Sequence, residues 1–292
     1  MSPLKSNLSR RCFNTGVLAG TLTSTSTTLH ASNLDVANES DSLSLLDVPQ
    51  SLKAHVATLF GTQPIVRSGI TLKLPALAEN GNSVALSIET DQRRSHQRIQ
   101  KLYLFAEKNP LPDIARFEFT EPIDKLSIDL RVRLADSQTI LAVAQTNDGT
   151  LLGDHASIVV TIAACIDIPI YNPLMNAATN TATPTGANKA DWKSRFAAPK
   201  SARKGEIIKV RTLLAHPMES GFRVDINGNN IPRDIIQRFE CQYGGETIFQ
   251  TQFFPAVAAN PYLAFELKAK TSGEILCRWT CLLYTSPSPR DS

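Results

Sequence analysis

The chain is predicted to be all-β, with two β-sandwich domains joined by a flexible linker. Three observations carry this. Short segments alternate apolar and polar residues at period two. Gly, Asn and Pro punctuate them at the spacing of β-turns. One small-residue polar tract divides them into two groups. No long amphipathic helical pattern competes with this reading.

The N-terminal residues 1–31 read as an export signal. Lys5, Arg10 and Arg11 precede Phe13 and the mildly apolar run Gly16-Val17-Leu18-Ala19-Gly20. Ser9-Arg10-Arg11-Cys12-Phe13 resembles the twin-arginine motif, whose apolar region is weaker than that of the general secretory signal. Small Ala31 suits the end of a cleavage site. This pathway delivers a folded protein to the periplasm, so the expected location is periplasmic.

The first domain is expected over 50–166. One short helix is predicted over Ser51 to Phe60. Ile70 to Leu74 and Val84 to Ile88 alternate strictly, with Asn80-Gly81-Asn82 supplying a turn between them through tolerance of positive φ. Further strands are predicted over Lys101 to Glu107, Ala115 to Thr120, Lys125 to Arg133, Ile140 to Thr146 and Ala156 to Ile162. Strands so spaced, without helices between them, form a sandwich.

Residues 167–193 change character. Asn176 to Gly186 is a run of Asn, Ala, Thr, Pro and Gly, which buries too little apolar surface to order itself and reads as a linker. Alternation returns over 194–280, in Ile207 to Leu214, Phe239 to Tyr243, Thr247 to Phe253, Leu263 to Ala269 and Ile275 to Trp279. Asn227-Gly228 is a hairpin signal. The segment 281–292, beginning at Cys281, breaks the strand pattern and resembles the translated sequencing-adaptor tails of truncated gene predictions. It is expected to lie outside the fold.

Composition narrows the function classes. Hydrophobic residues at 42% and charged residues at 20% are those of a globular protein, and the net charge of +3 leaves no footprint for nucleic acid. The one basic knot, Arg93, Arg94, His96, Arg98 and Lys101, reads as a solvated face. No apolar run is long enough to span a membrane. His30, His55, His96, His155 and His216 have no metal-ligand spacing, and no catalytic or phosphate-binding motif is present, so no metal, cofactor or enzyme activity is expected.

Of the five cysteines, Cys12 belongs to the signal and Cys281 to the terminal segment. Cys241 alternates with Phe239 and Tyr243, and Cys277 with Ile275 and Trp279. They either pack as reduced core residues or meet as an inter-strand disulfide. Cys165 follows the last strand of the first domain, where the chain leaves the sheet. It is either a small buried hydrophobe or a thiol carried on a strand extension and reactive as the thiolate. The neighbouring Asp167 raises a thiol pKa, which suits a carrier better than a strongly activated nucleophile.

The first half resembles SoxY, the sulfur-carrying subunit of the bacterial thiosulfate-oxidation system, through Leu74 to Val84, Phe105 to Pro112 and Arg131 to Ala135. The second resembles SoxZ through His216 to Arg223, Ile231 to Ile236 and Ala259 to Tyr262. The order is that of a fused SoxYZ-like carrier. The resemblance implies immunoglobulin-like sandwiches that pair within the chain, and sulfur-containing intermediates held covalently on Cys165. It implies cytochrome-type and hydrolase-type sulfur-oxidation enzymes as partners. The arm residues are Ala163, Ala164, Ile166 and Asp167, where SoxY carries a Gly-Gly-Cys-Gly-Gly arm. Ala163-Ala164-Cys165-Ile166-Asp167 resembles the Ala-Ala-Cys-Ile-acidic arm of SoxY-related paralogues associated with quinoprotein dehydrogenase systems, so a different cargo is open. A non-catalytic binding or structural sandwich, with Cys165 merely packed, is the competing class.

Overall fold

Period-two burial turns the alternating segments into two facing layers. The computed structural model describes residues 44–90, 98–164, 193–225, 228–281 and, as backbone alone, 285–287. The segment expected to be an export signal, Cys165 and all but the last residue of the expected linker lie outside the described residues. The first half contributes one helix, α1 (Gln50–Phe60), and the strands β1 (Ile65–Val66), β2 (Ile70–Lys73), β3 (Leu77–Asn80), β4 (Val84–Thr90), β5 (Ile99–Ala106), β6 (Asp113–Ile123), β7 (Ser127–Val132), β8 (Gln138–Thr146) and β9 (Leu151–Ile162). The second contributes β10 (Ser194–Ala197), β11 (Ile207–Leu214), β12 (Ile236–Tyr243), β13 (Glu246–Phe253), β14 (Tyr262–Lys268), β15 (Ile275–Cys281) and β16 (Thr285–Pro287).

The two halves share both sheets. One sheet runs β1-β9-β8-β5-β6-β13-β12-β15-β16, with β3 also beside β9, and the other runs β10-β11-β14-β7-β4-β2. Each therefore crosses from the first half to the second. In one, Ala115 to Phe119 of β6 pairs antiparallel with Phe249 to Phe253 of β13. In the other, Ile128 to Leu130 of β7 pairs with Leu263 to Phe265 of β14. The all-β expectation holds, and the halves pair within the chain. They meet strand edge to strand edge, which satisfies backbone groups that two separate sandwiches would leave exposed.

Side chains close the same seam. Phe249 packs against Phe119 with ring centroids 5.8 Å apart and edge-on to Phe265 at 4.8 Å. Phe239 and Trp279 extend this aromatic group at 4.6 Å. These rings belong to one core cluster that also holds Leu86, Leu102, Phe117 and Leu130 of the first half. Aromatic burial on this scale is the main force holding the halves together. A second, smaller core lies under α1, where Leu52 and Val56 meet Phe105, Leu141 and Leu151. Among the described residues no helix is long and apolar enough to cross a membrane.

Several sequence expectations change in detail. β9 begins at Leu151, five residues before the expected Ala156, because Leu151 to Asp154 continue the ladder against β8. The strands β1, β3 and β10 span two to four residues, too few to show a period. Gly81 does not have the expected positive φ. A Cβ there would lie 2.4 Å from the Leu134 carbonyl oxygen and 2.8 Å from the Ala164 nitrogen, so the glycine serves close backbone approach. Cys281 is a buried strand residue, paired with Ile236, because the β12–β15 ladder runs past Trp279. Beyond it, Thr285 to Pro287 pairs along β15.

Candidate functional site

Backbone hydrogen bonds pin the chain as far as Ala164, one residue before Cys165. At the end of β9, Ile162 accepts a hydrogen bond from the Gly81 amide at 2.8 Å. The Ala164 amide donates to the Leu134 carbonyl at 2.9 Å, and the Leu134 amide donates back to the Gly81 carbonyl at 2.8 Å. Ala164 is buried, while Ala163 is half-buried and Ile162 is exposed. Of the two alanines expected in the arm, Ala164 is thus tied to Leu134 by a backbone hydrogen bond. Cys165, Ile166 and Asp167 lie outside the described residues.

Leu134 is itself braced by irregular backbone held by specific side chains. Asn109, nearly buried, donates from Nδ2 to the Arg133 carbonyl at 2.9 Å and accepts the Ala135 amide at 3.0 Å. Gln138 donates to the same Asn109 oxygen at 3.0 Å and accepts the Lys108 amide at 2.8 Å. The Ser137 hydroxyl takes the Val160 amide at 2.9 Å. A carbonyl or amide left unpaired in such a setting costs about 1–3 kcal/mol, so Asn and Gln, which both donate and accept, are the side chains that fit.

Arg133 carries the network across the seam. Its guanidinium donates to the Pro217 carbonyl at 2.8 Å and to the Met218 carbonyl, while its amide donates to the Ala256 carbonyl at 2.6 Å. Burial pulls the guanidinium down to about 10, against the opposing pull of the Glu219 carboxylate, so it stays charged at neutral pH. Nearby, the Ala258 amide donates to the Arg131 carbonyl at 3.0 Å, and the Arg131 guanidinium lies 5.8 Å from the centre of the Tyr262 ring.

The second-half loop that receives Arg133 is built tightly. Met218 adopts a φ of 52°, unusual for a residue with an unbranched apolar side chain. Three contacts hold it there: its carbonyl on Arg133, its amide on His216 Nδ1 at 2.9 Å, and its sulfur on the Ile236 amide at 3.2 Å. Asn260, also at positive φ, accepts the His216 amide at 3.2 Å and donates its own amide to the His216 carbonyl at 2.7 Å. Glu219 pairs with Arg223, and Arg233 donates to the Ser220 carbonyl at 3.0 Å.

His216, Asp234 and Cys281 bring three possible metal-ligand atoms within 4.8 Å of one another. The Met218 amide occupies Nδ1, which places the proton of the neutral imidazole on Nε2, facing the Cys281 sulfur at 3.4 Å and Asp234 at 3.7 Å. The trio is a hydrogen-bonded cluster of two buried residues and the half-buried Asp234, and it includes a residue of the 281–292 segment. Of the other described histidines, His55 meets Asp113 at 3.0 Å and His155 sits within β9.

Apart from Gly81, read as a turn glycine, the residues that fix the exit toward Cys165 were given no local role in the sequence beyond the resemblance. Gly81, Asn109, Arg131, Arg133, His216, Arg233 and Asn260 all lie in the six stretches similar to SoxY or SoxZ, and they converge here. A signal existed: these stretches hold Gly, Asn, Pro and Arg where strands should hold β-branched residues.

Comparison with protein families finds the sulfur oxidation protein SoxY over residues 56–165 and the sulphur oxidation protein SoxZ over residues 196–281. No curated protein matches the chain. Solved structures with partial likeness include superoxide reductase (neelaredoxin) from Ignicoccus hospitalis, at 17% identity over 31% of this chain and 79% of that one, TM-score 0.25. A single-residue variant of the same reductase gives 13% identity over 38% and 90%, TM-score 0.27. Those values are too low to say anything about this chain. The family matches lie in the order of the two halves that share the sheets: the chain belongs to the SoxY and SoxZ families as a fused SoxYZ-like sulfur-oxidation protein.

Proposed function

We propose that this protein is a periplasmic covalent carrier that holds sulfur-containing intermediates on the Cys165 thiol and presents them to partner oxidation enzymes. The observation that carries the reading is the pinned exit: backbone bonds from Gly81 and Leu134 hold the chain as far as Ala164, beside the seam of the two halves. The backbone is thereby fixed one residue before the thiol, which supports a role in repeated presentation to different enzymes. Joining a sulfur anion to the Cys165 sulfur forms an S–S bond and removes two electrons, which a cytochrome-type partner accepts. Cleaving an oxidised terminal sulfur from it consumes water and returns protons, which is work for a hydrolase-type partner. The carrier itself catalyses neither step.

The Ala163-Ala164-Cys165-Ile166-Asp167 surroundings favour a cargo other than thiosulfate and an accessory role in a quinoprotein dehydrogenase pathway. Side chains with Cβ atoms make a bulkier, stiffer arm than glycine does. Arg10-Arg11 supports export by the twin-arginine pathway. Intact-mass and peptide analysis of protein purified from its native compartment tests the carrier reading. A sulfur-containing adduct on Cys165, absent in Cys165→Ser, is expected. An unmodified Cys165 inert to thiol reagents would instead mark a binding or structural sandwich.

A further inference from the structure

Cys241 and Cys277 are direct cross-strand partners on adjacent antiparallel strands, β12 and β15. Residues paired in this way project from the same face of the sheet with Cα atoms about 4.5–5.5 Å apart, inside the range a disulfide spans. Both side chains are fully buried in the shared core, two residues along the ladder from the Phe239–Trp279 pair, and both thiols are free. The ladder is irregular at this point: the β12–β13 register shifts between Cys241 and Gln242. On the far side of β15, β16 pairs only with Arg278 to Thr280, so Cys277 has no ladder partner there among the described residues.

We infer that Cys241 and Cys277 form a latent covalent staple, a dithiol that closes to a disulfide only after β15 has come off β12 and that then locks the last long strand of the second half in place. In the folded chain burial pushes the Cys241 thiol well up, with the adjacent Cys277 pushing the same way, so the attacking thiolate is scarce. Local opening of an edge segment costs less than global unfolding and exposes both sulfurs together. The oxidant is a disulfide, either of low molecular weight or on a protein thiol oxidase. One cysteine thiolate attacks it, releases one thiol and forms a mixed disulfide. The second cysteine displaces the other thiol. Two protein S–H bonds are lost, one S–S bond is gained, and the oxidant leaves as two thiols carrying the two electrons and two protons.

The test uses the full chain and oxidised glutathione. Native protein exposed to oxidised glutathione without denaturant is expected to keep both cysteines reduced, so that both are alkylated once denaturant and excess thiol reagent are added. Protein refolded from urea in a glutathione redox buffer is expected to yield a peptide containing Cys241 linked to one containing Cys277, two hydrogens lighter than the reduced pair. Its urea midpoint should rise by on the order of 1 M over the dithiol form. Three results would overturn the inference: both cysteines still alkylatable after refolding, either one linked to a different cysteine, or a linked form with no higher midpoint. Rapid linkage in the native protein would overturn the shielding half of it. Because the peptide map is read on the unaltered chain, the outcome does not depend on whether Cys277→Ala folds.

Discussion

The seam between the halves and the exit toward Cys165 lie close together but are held by different means. At the seam, β6 meets β13 and β7 meets β14 through regular backbone ladders, and Phe119, Phe249 and Phe265 fill the space behind. Almost any β-forming, core-filling residues would satisfy such a seam. At the exit, Gly81, Leu134 and Ala164 are joined by irregular backbone bonds, and the Arg133 and Ala135 backbone on either side of Leu134 is held by the Asn109 side chain, which Gln138 holds in turn. Removing a ring from the seam takes away packing area. Removing a polar group at the exit leaves buried carbonyls and amides with nothing to pair with. The first kind of contact sets how strongly the halves adhere; the second fixes the backbone as far as Ala164.

Substitutions at three positions break or sharpen this contrast. Phe249→Ala should have the largest effect on stability, about 3–5 kcal/mol in urea unfolding, because its ring touches aromatic residues of both halves. A loss below about 1 kcal/mol would mean the ladders alone hold the seam. Arg133→Ala should cost about 2–3 kcal/mol, since it strips the Pro217 and Met218 carbonyls of a charged donor. Arg133→Lys should recover little of this, because one ammonium cannot reproduce the fork of a guanidinium. Full recovery by Lys would reduce the contact to charge. Gly81→Ala should cost about 1–3 kcal/mol by steric intrusion alone and should speed hydrogen exchange at the Ala164 amide, whose nitrogen the new methyl would crowd. Unchanged exchange at Ala164 would show that the exit is not anchored through Gly81.

Much of the strand inventory was legible because burial follows residue parity. β11 runs from Ile207 to Leu214 as its alternation predicts, and its burial alternates with almost every step. The helix expected over Ser51 to Phe60 forms as Gln50–Phe60. The exit was less legible. Asn109 sits in a stretch whose resemblance to SoxY was plain but whose role was not, since nothing local says that its amide serves Arg133 and Ala135. Gly81 was read as a turn glycine when its neighbours across space, Leu134 and Ala164, are what require it.

By itself the sequence determined the all-β class, most strand positions, the two-half organisation and the family, because each rests on local periodicity or on contiguous motifs. Only the tertiary structure decided that the halves share two continuous sheets, that Arg133 bridges them to a strained Met218, and that Cys241 faces Cys277. Strand order and register depend on which edges meet. Edges meet through the burial of distant aromatic rings and the pairing of distant backbone groups, and no window of local sequence contains both partners.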